Sequence, residues 1–294
     1  MQASILKKNV FYFRKFLRLV RVQNLGIIFL AQWLTAYFVI KWPLLQSVSV
    51  GGLAVPALAC MSLSTMFIAA AGYLINDYYD IKIDYVNRPH SVLVGRVFPR
   101  RFVLFLHFLF NFIGVGLGML ISLKMAAFNF LMTFLLWFYS NHLKRKPLVG
   151  NVLVAVLSGM LLVQFVVLTQ QSHKWVWFYS GFAFLTTLIR EIVKDMEDRK
   201  GDAVFDSRTL PISWGIRKTH RLVLALSIVL LAALVGTMTW VSENRMVLYF
   251  LFLLLLTADF VKELRIADTK HAYARLSSKA KRLMVAGVLS MILL

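Results

Sequence analysis

Six aspartates, in two sets of three, carry the strongest chemical signal in this sequence. Asp77, Asp80 and Asp84 in "NDYYDIKID" read D-x2-D-x3-D, and so do Asp195, Asp198 and Asp202 in "KDMEDRKGD". Each member of the second set lies 118 residues after its counterpart. On a helix, positions i, i+3 and i+7 fall within an arc of about 60°, so each trio predicts one stripe of carboxylates pointing one way. Such stripes at the C-terminal ends of helices, where the dipole is already negative, repel themselves unless cations arrive. Ligands that are all oxygen, without His or Cys, favour Mg2+ over zinc or copper. Mg2+ takes one or two carboxylates and completes its shell with substrate phosphate. The chemistry to expect is metal-assisted handling of a phosphorylated molecule.

The elements that must hold these stripes are apolar. Of the 294 residues 60% are hydrophobic, and the mean hydropathy is +0.73. Windows of about 20 residues give nine candidate membrane spans. They run over 24–42, 52–75, 101–122, 125–142, 150–171, 176–193, 221–241, 246–261 and 281–294. The expected fold is therefore all-α and multi-pass, with about nine transmembrane helices around a central cavity. The repeated spacing divides it into two pseudo-repeated halves, each trio following an even-numbered span. The whole of 1–294 reads as one domain. Residues 1–22 mix basic and apolar positions without a signal-peptide cleavage pattern, and predict an interfacial amphipathic helix.

A net charge of +20 raises the question of nucleic acid, and its distribution argues against that partner. With a cytoplasmic N-terminus, the inside segments carry 29 of the 33 Lys and Arg, and the four outside loops hold only Lys41, Lys124, Lys174 and Arg245. That asymmetry is the positive-inside rule, and the basicity reports topology and anionic lipid contact. The same topology puts both acidic clusters on the cytoplasmic face. Nine of the thirteen Asp and Glu lie within 77–84 or 191–206, which concentrates negative charge where the inside loops are basic. Cys60 is the only cysteine, so no disulfide can form within the chain. The polar stretch Glu263–Arg282 reads as a cytoplasmic connector or a lid.

These residues resemble the UbiA-type intramembrane prenyltransferases. The likeness rests on "NDYYDIKID" after the second span, "DMEDRKGD" after the sixth and "YSNHLKRKPLVGN" (Tyr139–Asn151) after the fourth. It covers nearly the whole chain. The resemblance implies two Mg2+ ions clamping the diphosphate of an allylic isoprenoid donor, with Asp77, Asp80, Asp84, Asp195, Asp198 and Asp202 as metal-site residues. Asp80, Asp84, Asp198, Asp202 and Lys144 are then the catalytic set. Asn76, Arg88, Lys144, Lys194 and Tyr139 are the candidates for the diphosphate side. Tyr73, Tyr78, Tyr79 and Tyr139 lie near enough in sequence to shelter an allylic cation with their ring faces. Arg21 and Asn24, which open the first span, are candidates to meet a polar acceptor. If the source is prokaryotic, the cell membrane is the expected location.

"REIVKDMEDRKGD" is most similar to the branch that prenylates geranylgeranylglyceryl phosphate, so the favoured partners are an isoprenoid diphosphate, a prenylglyceryl phosphate and the lipid bilayer. A quinone-pathway enzyme acting on 4-hydroxybenzoate or a naphthoate is the alternative. One departure bears on this choice: after "NRP", family members carry a further Arg-Pro pair, where this chain has His90-Ser91-Val92. A cation transporter, the rival from another class, calls for acidic residues at mid-bilayer on broken helices, and spans two and six have none.

Overall fold

The computed structural model describes residues 2–41, 47–50, 53–205, 207–241 and 243–294. Trp42, Gly52 and Asp206, which the sequence reading included in two spans and in the second acidic cluster, lie outside the described residues. Helices dominate. They are α1 (Gln2–Leu19), α2 (Val22–Leu34, continued as a π-helix over Thr35–Ile40), α3 (Ala57–Asn87), α4 (Arg100–Met119), α5 (Leu123–Asn141) and α6 (Val149–Thr169). There follow α7 (Lys174–Val204), the single turn α8 (Leu210–Ser213), α9 (Ile216–Met238), α10 (Asn244–Ile266) and α11 (Lys270–Leu289). One feature was not expected from the sequence: two short antiparallel strands, β1 (Ser47–Val50) and β2 (Leu53–Pro56), pair Ser47 with Pro56 just before α3.

Each of the nine expected spans falls mainly on a helix, the second starting on β2 and joining α3 at Ala57. Among the described residues, seven helices are long and apolar enough to cross a membrane; α10 and α11 are not among them. The chain is an integral membrane protein. The spans that carry the trios are longer than hydropathy suggested. α3 and α7 each run for 31 residues, to Asn87 and Val204, so both trios sit inside helices, in their last three turns. Hydropathy stops at the first charge, whereas the helical hydrogen-bond ladder continues until something ends it. α3 ends at the residue before Arg88-Pro89, where proline offers no N–H.

The chain divides into two compact units: Met1–Leu30 with Leu45–Asn141, and Ala31–Leu44 with His142–Leu294. In the first unit α4 and α5 pack on α3. Without a hydrophobic drive between helices in lipid, small residues and interhelical hydrogen bonds hold such packing. Gly114 of α4 lies so close to α3 that a Cβ there would stand 2.6 Å from Ile68 and 3.1 Å from the Ser64 carbonyl. Ser64 Oγ donates to the Gly114 carbonyl at 2.6 Å, and Asn129 Nδ2 of α5 donates to Ser64 Oγ at 2.7 Å. One polar knot thus ties three helices.

In the second unit α7 is the hub, flanked by α6, α9 and α11. Ser180 Oγ donates to the Gly159 carbonyl of α6 at 3.0 Å, and Thr187 Oγ1 to Ser158 Oγ at 2.9 Å. The polar stretch Glu263–Arg282 is a helical hairpin and not a loop: only residues 267–269 separate α10 from α11. Thr269 caps α11 by accepting from the Ala272 N–H at 3.2 Å. Lys279 and Arg275 reach back across the turn to Asp259 and Glu263.

Candidate functional site

In the first unit, α3 displays Asn76, Asp77, Asp80 and Asp84. Asp80 is the most buried of its trio at 6% exposure and accepts from Asn76 Nδ2, one turn earlier, at 2.8 Å. Asp84 is half-buried. Asp77 is taken up by a different element. Arg21, at the junction of α1 and α2, places Nη2 2.7 Å from Asp77 Oδ1 and its guanidinium carbon 4.8 Å from the centre of the Tyr73 ring. Tyr73 and Asp77 are one turn apart on α3, so a single guanidinium covers both. Tyr78 carries the guanidinium of Arg100 at 4.9 Å. Two of the tyrosines proposed for sheltering a cation therefore already face one.

Asn24 opens α2, and its N–H donates to the Arg21 carbonyl at 2.8 Å. Arg88 ends α3, its N–H bonded to the Asp84 carbonyl at 2.8 Å. The His90-Ser91-Val92 departure has a local role: both the N–H and the Oγ of Ser91 donate to the Arg88 carbonyl, at 2.9 and 2.8 Å. Tyr139, in the last turn of α5, is half-buried.

In the second unit, Lys194, Asp195, Asp198 and Asp202 all lie on α7. Asn151 of α6 donates from Nδ2 to Asp195 Oδ2 at 2.8 Å. Asp198 is half-buried. Asp202 is 8% exposed and accepts from Thr209 Oγ1 at 3.3 Å, while its backbone carbonyl accepts from the Ser207 N–H at 3.0 Å. The segment after α7 therefore folds back onto the last aspartate of the trio. The two trios share a spacing, and their surroundings differ.

Lys144 sits in a short 3-10 turn, Leu143–Arg145, packed against the start of α6. A Cβ on Gly150 would lie 2.8 Å from the Leu143 carbonyl oxygen and 3.1 Å from the Lys144 Cα, so only glycine lets the two backbones approach this closely. Leu148 enters α6 at φ 63° and ψ −40°, with the Val149 N–H donating to the Pro147 carbonyl at 2.8 Å. That is a γ-turn in a conformation seldom adopted by a residue with a side chain.

Asn151 and Thr209 are the residues that sequence reasoning missed. Asn151 closed the segment quoted for its likeness, and an amide in the first turn of an apolar span is a signal in itself. Its partner lies 44 residues on, which no local pattern reveals. Thr209 carried no signal. Among the described residues, neither unit brings three His, Cys, Asp or Glu side chains together as a ready-made metal cage. Magnesium does not require one, since its usual protein share is one or two carboxylates. The hard oxygen donors of these stripes suit that ion.

Comparison with known proteins identifies the family. The UbiA prenyltransferase family matches residues 25–284. A digeranylgeranylglyceryl phosphate synthase of Methanopyrus kandleri is 39% identical over 167 residues, 56% of this chain and 59% of that protein. One from Saccharolobus solfataricus is 30% identical over 236 residues, 74% of this chain and 75% of that protein. The aligned region thus spans about three fifths of the M. kandleri relative and more of the S. solfataricus one. Among solved structures, one described as a digeranylgeranylglyceryl phosphate synthase superposes with a TM-score of 0.67 at 20% identity, over 96% of this chain and 98% of the other. A UbiA homologue from Archaeoglobus fulgidus bound to GPP and Mg2+ gives 0.63 at 13% identity, over 95% and 99%. The match over residues 25–284 and the S. solfataricus relative place the chain: it belongs to the UbiA prenyltransferase family.

Proposed function

We propose that this protein is a Mg2+-dependent prenyltransferase that moves a prenyl group from an allylic isoprenoid diphosphate to a prenylglyceryl phosphate. The observation that carries the reading is the equal placement of two D-x2-D-x3-D stripes in the last three turns of two 31-residue helices. The relatives named digeranylgeranylglyceryl phosphate synthase support the acceptor class, and the A. fulgidus homologue bound to GPP and Mg2+ supports the donor and the metal. In this reading residues 1–294 act as one functional domain. The N-terminus and the aspartates face the cytoplasm, as the Lys and Arg asymmetry favours, and α1 lies in the membrane interface.

Asp80, Asp84, Asp198 and Asp202 would hold two Mg2+ ions. Bound there, Mg2+ supplies charge neutralisation for a departing diphosphate. Lys144, Arg88, Lys194 and Asn76 hold diphosphate oxygens, as does Tyr139 through its hydroxyl. The C1–O bond of the donor breaks with its electron pair on the diphosphate oxygen. The acceptor hydroxyl oxygen forms the new bond to C1 and gives up its proton to solvent. Tyr79 and Tyr139 turn ring faces towards the allylic cation. The isoprenoid tail, worth about 0.8 kcal/mol per CH2 in lipid, keeps to the apolar side.

The test is incubation of the reconstituted protein with labelled geranylgeranyl diphosphate and a panel of acceptors. Product with geranylgeranylglyceryl phosphate, lost in Asp80→Ala and Asp198→Ala, is expected. Product only with 4-hydroxybenzoate or a naphthoate would move the protein to the aromatic branch. Wild-type turnover by either variant would overturn the metal assignment.

A further inference from the structure

The two trios are alike in one respect that their spacing does not explain. In each, the first aspartate is bonded to the start of the helix that precedes it. Arg21 stands immediately before α2 and pairs with Asp77 of α3 at 2.7 Å. Asn151 stands in the first turn of α6 and donates to Asp195 of α7 at 2.8 Å. The chain enters both helices through a residue of positive φ, Arg21 at 54° and Leu148 at 63°. Side chains rarely tolerate that conformation, yet here it occurs at the same place in both units. The partners differ, a guanidinium in one unit and an amide in the other. What recurs is therefore the tether and not the residue type.

Asp80 and Asp202 each also have a bond of another kind. The 2.8 Å partner of Asp80 is Asn76 on its own helix, and Asp202 meets Thr209 beyond the end of α7. A metal on Asp77 would also sit within a few ångströms of the Arg21 guanidinium, a like charge in a half-buried setting. The Asn151 amide would tolerate a metal on the other oxygen of Asp195. For that residue the parallel with Asp77 carries the argument.

From this we infer that Asp77 and Asp195 are positioning residues and not metal ligands. Each ties its trio-bearing helix to the entry of the preceding helix, through Arg21 and Asn151, and so fixes the rotation of the stripe. The inference rests on the prenyltransferase reading above. It reassigns Asp77 and Asp195 from the metal site, and Arg21 from acceptor binding.

The test measures initial rates of the reconstituted full chain across a Mg2+ titration, with an allylic isoprenoid diphosphate and a prenylglyceryl phosphate. Asp80→Asn and Asp198→Asn serve as references and should lose about a hundredfold or more. Asp195→Asn should stay within about threefold of wild type with an unchanged Mg2+ requirement, because its side-chain carbonyl still accepts from Asn151. The exchange R21D/D77R should recover about tenfold over the better of R21D and D77R, since an ion pair survives reversal and a metal ligand does not. Asp195→Asn falling with Asp198→Asn would overturn the inference. So would an exchange no better than either single variant while its melting temperature and membrane yield match wild type. Should the exchange fail to fold, Asp77→Asn decides: a Mg2+ requirement raised about tenfold makes Asp77 a ligand. Full rates in Asp80→Asn and Asp198→Asn would instead sink the metal reading itself, and this inference with it.

Discussion

Gly150→Ala is the substitution whose effect follows most directly from the geometry. Its Cβ would lie 2.8 Å from the Leu143 carbonyl oxygen, 3.1 Å from the Lys144 Cα and 3.3 Å from the Leu143 carbonyl carbon. All three are backbone atoms, so no side chain can swing aside, and either the 143–145 turn or the first turn of α6 must move. Overpacking of this kind costs about 1–3 kcal/mol. Alanine regains up to about 1 kcal/mol of helix propensity over glycine, and less in a first turn. The net expectation is a loss of about 0.5–2 kcal/mol. The same shift moves Lys144 and Asn151 away from their positions. Since a displacement of about 1 Å at a positioning group can cost about a hundredfold, several tenths of an ångström should cost roughly tenfold in rate. Thermal unfolding of the reconstituted protein and initial rates over a donor series measure both effects. Gly116→Ala of α4 is the control, because nothing lies within 4 Å of the new methyl group. A Gly150→Ala protein with wild-type melting and rates within twofold would refute the claim that this close approach sets the site.

Lys144→Ala should raise the apparent KM for the diphosphate donor several-fold more than that for the acceptor, and equal effects would remove its donor-side role. Asn129→Leu breaks the knot of Ser64, Gly114 and Asn129 that ties α3, α4 and α5. It should destabilise the first unit by about 0.6–2 kcal/mol, read as a lower melting temperature with little change in the Mg2+ requirement. Lys279 first, and Arg275 second, hold the Glu263 carboxyl below its usual value of 4.5. Because the folded pKa is the lower one, the stabilisation is present above about pH 4.5 and fades as acid carries the pH through the depressed value. The melting temperature of Glu263→Gln should therefore lie below that of wild type at neutral pH and converge with it in acid. A constant difference would show that the pairing adds nothing that titrates.

How much was legible beforehand differs from element to element. Composition fixed the membrane class and located nine apolar stretches, each of which falls mainly on a helix, because lipid allows only structures that satisfy their own backbone. The i, i+3, i+7 stripes required helix through both trios, and α3 and α7 supply it. Hydropathy placed the span ends at Ile75 and Val193, short of the helix ends at Asn87 and Val204, since it measures transfer to lipid and not the continuity of hydrogen bonding. The polar stretch 263–282 was read as a connector for the same reason, and it is a capped helical hairpin paired across its turn.

The aspartates themselves were determined by the sequence: their identity, spacing and repeat at 118 residues define two stripes wherever the backbone is helical. Only the tertiary structure decided what each one meets. Arg21 lies 56 residues from Asp77 and Asn151 lies 44 from Asp195, and no helical period connects such distances. Those partners are set by which helix starts come to rest against α3 and α7, through close glycine contacts and positive-φ entries that a one-dimensional pattern does not encode. A side chain's chemistry is local, whereas the group that neutralises or orients it is chosen by packing.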